Sequence, residues 1–320
     1  MLKMHLFEIV YYFCHLYYIS NAMNNIEFLN ELKKNGVDKI NDLPSGYDYS
    51  ISRKTLTMKL TKTGVCKNMQ EDSSAFESWA FVLKHYCARF VDVVAIDWED
   101  PGIVDQHFNR FVYRLTRFVQ SYEWVITKKP IPRMPSLLYC SAPNSDAAPK
   151  EKHNKGDEGW IECDFVERNK KKYDAIDHQL PVGLFDGVVK DTTHFTPGRL
   201  SQIDIWAIDG NTFFIFELKR PKNNPLGIIS ELMFYTNVVN DLLSHNILIS
   251  EEKAKKAVNM GYRSFDKFYE TYIGARKINQ IKSVFLADEL HSLINDDVLK
   301  LINDSVRLKR FNITFETAKP

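Results

Sequence analysis

Two periods of apolar residues alternate along this chain, and together they predict its elements. Period-two alternation marks strands, whereas apolar positions three and four apart mark helices. Asn24 to Lys34 reads as a short helix. Residues 46–62 read as strands, with Tyr47, Tyr49 and Ile51, then Leu56, Met58 and Leu60, on alternate positions. Ser73 or Ser74 is placed to cap a helix running to Arg89, whose stripe is Phe76, Trp79, Ala80, Leu83 and Tyr86 or Cys87. Phe90 to Trp98 is a strand, and Asp105 to Trp124 a helix with Phe108, Phe111, Val112, Leu115, Phe118 and Val119 on one face. Such aromatic stripes belong to a core before they belong to a base-stacking platform.

Pro130 to Gly159 breaks the pattern. It holds Pro130, Pro132, Pro135, Pro143 and Pro149 and turns polar from Ser141 on, so it is the best linker candidate. The expected division is an atypical extension over 1–22, an N-terminal α+β domain over 23–155 with a recognition role, and a second domain over 156–320. A long loop inside one domain is the alternative. In the second half, 165–178 reads as helix and Leu180 to Val189 as strand. An amphipathic helix follows at 225–244, and further helices at Ser250 to Met260 and Ser264 to Tyr272. Ser283 to Ala287 is a short buried strand, Asp288 to Asn303 a helix, and Arg307 to Thr317 a closing strand.

The most informative stretch is 202–219, Gln-Ile-Asp-Ile-Trp-Ala-Ile-Asp-Gly-Asn-Thr-Phe-Phe-Ile-Phe-Glu-Leu-Lys. Two runs of β-formers flank Asp209-Gly210-Asn211, which is strong turn chemistry. With Gly210-Asn211 as a two-residue loop, Asp209 opposes Thr212, Trp206 opposes Ile215 and Asp204 opposes Glu217, whereas a loop of Asp209-Gly210 shifts the register by two residues and keeps the same faces together. Alternation then puts Asp204, Glu217 and Lys219 on one half-buried face, and Phe214, Phe216 and Leu218 on the other. Like charges at cross-strand positions repel, and a divalent cation relieves that repulsion, since carboxylate oxygens suit Mg²⁺ or Mn²⁺. Lys219 beside such a metal would orient water or stabilise charge developing on a phosphate. The plainer alternative is a surface hairpin carrying a Glu–Lys pair.

Asp204, followed by Glu217-Leu218-Lys219 at the end of a hydrophobic strand, resembles the motif of the PD-(D/E)XK (restriction-endonuclease-like) nuclease superfamily. The likeness covers roughly Glu162 to Thr317, and Ile203 stands where that motif often has proline. The resemblance implies an α/β fold of mixed α+β type: a C-terminal core with a mixed central sheet flanked by helices, beside an N-terminal α+β region. It implies Asp204 and Glu217 as metal ligands, the Leu218 carbonyl as a third, and Lys219 as the group that positions water. Many superfamily members carry a polar residue and a tyrosine on the next helix, which fits Glu231 and Tyr235, four apart on one face. An acidic residue from the first core helix is also usual. Glu167 fits if that helix starts near Phe165, with Glu162 and Asp164 as competitors.

Composition limits the alternatives. The chain has 320 residues, 44% hydrophobic, with 42 basic and 41 acidic side chains and a formal net charge of +1. Nucleic-acid binding therefore needs a local basic face. Candidates are Arg168 to Lys172, Lys219 to Lys222, Lys253 to Lys256 and Arg307 to Arg310, with Arg199 as a further phosphate contact. Five cysteines without a Cys-x-x-Cys argue against a disulfide framework or a zinc site, and for a reducing cytoplasm. No window is apolar and long enough to span a membrane. Residues 1–22 are aromatic-rich and only weakly signal-like, and Met23 is the expected start. The expected function is a Mg²⁺-dependent endonuclease of restriction, defence or repair type, acting on DNA in preference to RNA and compatible with a homodimer. The alternatives are a catalytically silent nucleic-acid- or protein-binding module on the same fold, and an RNase.

Overall fold

The computed structural model describes residues 22–140, 154–197 and 201–320. Residues 1–21, the stretch 141–153 of the linker candidate, and 198–200 with Arg199 among them lie outside the described residues.

The described residues open on helix α1 (Asn25–Lys34), started by a capping box in which Asn24 takes the Glu27 N–H and Glu27 returns the bond. A first mixed sheet follows, in the order β1 (Tyr47–Ser52), β2 (Thr55–Leu60), β3 (Val93–Trp98), β4 (Val125–Thr127). The β1–β2 pair is antiparallel and the others are parallel. Between them run a short α2 (Lys62–Val65), α3 (Phe76–Tyr86) and α4 (Gln106–Ser121). Asp105 caps α4, its carboxylate accepting the Phe108 N–H at 2.7 Å. Neither Ser73 nor Ser74 caps α3. Both lie in the preceding turn, and the Ser74 carbonyl accepts from Arg114 instead.

The central sheet is five-stranded and mixed, in the order β12 (Ile313–Ala318), β11 (Gln280–Leu286), β9 (Thr212–Leu218), β8 (Gln202–Asp209), β6 (Ala175–Pro181). Here β12, β11 and β9 run parallel, whereas β8 is antiparallel to both β9 and β6. The hairpin register is Asp209 opposite Thr212 and Trp206 opposite Ile215, as the two-residue loop requires, and Gly210 takes the left-handed φ of +56°.

Helices cover both faces of this sheet. On one, α5 (Glu158–Asn169) packs Phe165 and Val166 against Ile205, Ala207, Phe216 and Leu218. On the other, α6 (Ile228–Leu243) joins Trp206, Ile208, Phe213 and Ile215 in the main core. A third small sheet joins β5 (Leu137–Cys140), β7 (Gly183–Asp186) and β10 (Leu248–Ile249). The remaining helices are α7 (Glu251–Met260), α8 (Phe265–Tyr272), α9 (Asp296–Asn303) and α10 (Val306–Arg310).

Several boundaries differ from the periodicity reading. The helix expected over 165–178 lies earlier, at α5, and 175–181 is already strand. Leu180 to Val189 is two strands in two sheets. The chain changes sheet at Val182, where a Cβ on Gly183 would approach the Cys140 carbonyl to 2.9 Å. The helix expected from Asp288 begins only at Asp296, where the Asn295 side chain caps it by accepting the Val298 N–H. Arg307 sits in α10 and turns inward, bonding Asn237 Oδ1 at 2.8 Å, so it is withdrawn from the basic surface candidates.

The largest difference concerns α6. Its sequence suggested an amphipathic helix, yet every residue from Ile228 to Leu242 is buried. The second side is covered by the N-terminal half. Ser230 Oγ donates to Glu77 Oε2 at 2.8 Å, and Arg114 pairs with Glu77. Lower down, Tyr113 OH and Arg117 Nε both donate to Asp241 Oδ2, at 2.6 and 2.7 Å. Buried polar groups need such partners, and these come from residues far away in sequence. One apolar core accordingly runs from Phe28 through Tyr139 to Phe315, across the expected boundary near residue 155. Among the described residues no helix is long and apolar enough to cross a membrane, and no disulfide is present.

Candidate functional site

The β8–β9 ladder stops at Ile205 and Phe216. One residue beyond, the Asp204 side chain replaces the next rung. Its Oδ2 accepts the Leu218 N–H at 2.8 Å. Strand β9 meanwhile stays paired to β11, and the Lys219 N–H reaches the Leu286 carbonyl at 3.0 Å. This departure opens the sheet where Asp204, Glu217 and Lys219 sit, on the face that carries Trp206 and Ile215. That face is the more deeply covered of the two, since α6 and the N-terminal half lie over it. Glu217 is fully buried and Lys219 nearly so.

Lys219 Nζ lies 2.5 Å from Glu217 Oε1 and 3.1 Å from Glu231 Oε2, which projects from the first turn of α6. Tyr235, one turn on, accepts the Gln202 N–H on its hydroxyl at 3.1 Å and so ties α6 to the start of β8. The structure therefore brings together Asp204, Glu217, Lys219, Glu231 and Tyr235.

It does not bring in Glu167. That residue is exposed on the outer face of α5 and pairs with Lys170. The helix starts seven residues before Phe165, so it is Glu162, buried, that faces the site, near enough to Asp204 to influence its ionisation. Glu158, one turn earlier, lies toward Lys219. Their positions follow from helical spacing once the start of α5 is known.

Gln70 had no signal in the sequence. It arrives from the segment between α2 and α3 and donates its side-chain amide to Glu231 Oε1. The approach is close: a Cβ on Gly227, beside the start of α6, would lie 2.5 Å from the Gln70 carbonyl oxygen.

The charges do not balance. Asp204, Glu217 and Glu231 supply three carboxyls against the single ammonium of Lys219. Asp204 is only half-buried as a residue, but its carboxyl is shielded from water. Burial raises its pKa well above the carboxylate range, and Glu231 and Glu162 add to the rise against the opposing pull of Lys219. Glu217 is raised likewise, by burial first and then by Asp204 and Glu231. For Glu231 burial also opposes ionisation. It is outweighed by Lys219, by the neighbouring Glu217 and by the hydrogen bonds from Gln70 and Lys219, which hold its pKa below the usual value. Burial disfavours the Lys219 ammonium, yet Glu217, Glu231 and Asp204 hold its pKa above the ordinary lysine value. Lys219 therefore stays charged and acts as a hydrogen-bond donor rather than a base.

Among the described residues no three His, Cys, Asp or Glu side chains are grouped to surround a metal ion. Two carboxylates suffice for Mg²⁺, which usually keeps several of its waters. The fit is supported by unused oxygens. Glu217 Oε2 and Glu158 Oε1 are buried without a hydrogen-bond partner, as is Glu162 Oε2, which lies 3.6 Å from His178 Nδ1. Buried carboxylate oxygens of this kind are costly, and a hard cation or a proton relieves the cost. Beside the site Arg220 and Lys222 are exposed, which leaves a basic edge next to an acidic centre.

Comparison with protein-family models, with curated proteins and with solved structures finds no match to this chain.

Proposed function

We propose that this protein is a Mg²⁺-dependent nuclease that hydrolyses phosphodiester bonds, with DNA as the preferred substrate. The observation that carries the reading is the junction of β8 and β9. Two carboxyls that burial keeps from ionising freely sit where the ladder ends, with the buried Lys219 ammonium beside Glu217. The strand order and the helices on both faces agree with the restriction-endonuclease-like core that the motif suggests.

In this reading Asp204 and Glu217 hold Mg²⁺ (or Mn²⁺), with the Leu218 carbonyl as a further donor. When bound, the ion supplies positive charge at the scissile phosphate and lowers the pKa of the attacking water. The chain's own residues do the rest. Lys219 donates hydrogen bonds to an oxygen that gains negative charge as the phosphorus is attacked. Glu231 holds the lysine in place. Glu162 and Glu158 add acceptor oxygens near Asp204 and Lys219 and orient water there. Arg220 and Lys222 attract the phosphate backbone. The cysteines fit a reducing cytoplasm, where such thiols persist.

A silent binding module on the same framework is the second reading, and the depth at which the Lys219–Glu217 pair is buried favours it. Incubation of wild type and Asp204→Asn with plasmid DNA and with structured RNA, in Mg²⁺ and in EDTA, separates the two. The nuclease reading expects cleavage of DNA by wild type in Mg²⁺ only. It fails if neither substrate is cut, or if Asp204→Asn and wild type cut alike.

A further inference from the structure

A hydrogen-bond chain with a fixed direction enters the site from the N-terminal half. Its outer end is Arg110, on the second turn of α4, whose guanidinium can only donate. Arg110 Nη2 donates to Asn68 Oδ1 at 3.0 Å, which turns the Asn68 amide nitrogen outward. Asn68 Nδ2 donates to Gln70 Oε1 at 3.3 Å, which in turn leaves the Gln70 amide nitrogen facing α6. Gln70 Nε2 then donates to Glu231 Oε1, and Glu231 Oε2 accepts from Lys219. Side-chain amides are ordinarily ambiguous because oxygen and nitrogen can exchange places. Here they are not, since an obligate donor stands at one end and, at the other, a carboxyl that already takes the Lys219 ammonium on its second oxygen.

The same arginine ties in the start of β8, because Arg110 Nη1 donates to Ser201 Oγ at 3.2 Å. Arg110, Glu231 and Gln70 are brought together from stretches separated by up to 161 residues.

We infer that Gln70 is a positioning residue for Lys219: it fixes one oxygen of Glu231, so that the other holds the lysine ammonium between Glu231 and Glu217. This deepens the nuclease reading and rests on it for the catalytic consequence, though not for the relay itself. The N-terminal half then does more than cover the core, because it supplies the group that sets where the essential cation stands. The chemistry is orientation, with no proton passed along the chain.

The test is a double-mutant cycle in the full-length chain with Gln70→Met, Glu231→Gln and both together. Methionine keeps the bulk of Gln70 and removes only the donor, and thermal melting checks that each variant folds. Two quantities are read. One is kcat and KM for Mg²⁺-dependent cleavage of plasmid DNA. The other is the exchange rate of the Lys219 ammonium in ¹H–¹⁵N spectra of lysine-labelled protein, assigned with Lys219→Arg, which needs no activity. Loss of one hydrogen bond to a charged group predicts a roughly tenfold lower kcat and a roughly tenfold faster exchange for Gln70→Met. KM is expected to stay the same, and Gln70→Met is expected to have no further effect once Glu231→Gln is present. Effects that multiply in the double variant overturn the inference, as does an exchange rate that Gln70→Met leaves unchanged. If the wild type does not cleave, the nuclease reading falls, and the ammonium exchange alone decides on the relay.

Discussion

Lys219→Met is the perturbation whose outcome the structure constrains most tightly. A lysine at an exposed strand end could be removed at almost no cost. Lys219 is not exposed, and its ammonium is the cation shared by Glu217 and Glu231. Removing it leaves buried carboxylates without their partner, which costs about 3–5 kcal/mol when both stay ionised. They can escape that cost by taking up a proton. Burial has already raised Glu217 above its usual pKa, and Glu231 lies below its own only because Lys219 and its other hydrogen-bond partners outweigh burial. Without the ammonium both rise. A carboxyl whose folded pKa exceeds its unfolded value, about 4.3 for Glu, contributes stability below that value and loses it as pH increases. The deficit of the variant is therefore small near pH 5 and grows toward pH 8. Urea unfolding followed by tryptophan fluorescence at pH 5, 6, 7 and 8, without divalent metal, measures it directly. A deficit under about 1 kcal/mol that is also flat with pH would refute the reasoning, because it would mean the ammonium does not neutralise these carboxyls. Under the nuclease reading the same variant cleaves DNA on the order of a hundredfold more slowly, as for loss of one preorganised donor. It binds DNA only slightly less well, since one phosphate contact among several is lost.

Three other outcomes follow. Asp204→Asn is expected to remove Mn²⁺ binding as read by isothermal titration, and equal binding by wild type and variant would discard the ligand assignment. Glu162→Gln should slow DNA cleavage at least tenfold while Glu167→Gln leaves it unchanged, a contrast that a gel assay on both variants resolves. Gly227→Ala forces a Cβ to within 2.5 Å of the Gln70 carbonyl; the resulting strain should lower stability by about 1–3 kcal/mol, and a wild-type melting curve would show that this contact is slack.

Much of this arrangement was legible in the sequence, for reasons particular to each element. The faces of the hairpin followed from Asp209-Gly210-Asn211 and strict alternation, because a one-residue slip would exchange them; the two turns that this stretch allows differ by two residues in register, and the ladder adopts the one with Gly210-Asn211 as its loop. Local signals said less about depth. The polar residues on α6, among them Ser230, Thr236, Asn237 and Asp241, suggested a solvent-facing side, yet each is buried and hydrogen-bonded. Their partners include Glu77, Tyr113, Ser283 and Arg307, and periodicity within one helix carries no trace of them. Glu167 was favoured over Glu162 because α5 was placed seven residues too late, and a helix boundary decides which face an acidic residue occupies. Gln70 was invisible for a simpler reason. It lies in an irregular segment, and its importance comes entirely from what it meets.

The enclosure of α6 has a consequence for how such a protein could be altered or inherited. In a modular enzyme the half that selects a target can be exchanged while the half that performs the chemistry is kept. Here exchange would strip Glu231 of Gln70, Ser230 of Glu77, and Asp241 of Tyr113 and Arg117. Each is a polar group in the interior, so the graft would fail before its specificity could be tried. The two halves can change only in step, and a lineage of such chains would diverge by gradual substitution at the surface rather than by trading parts.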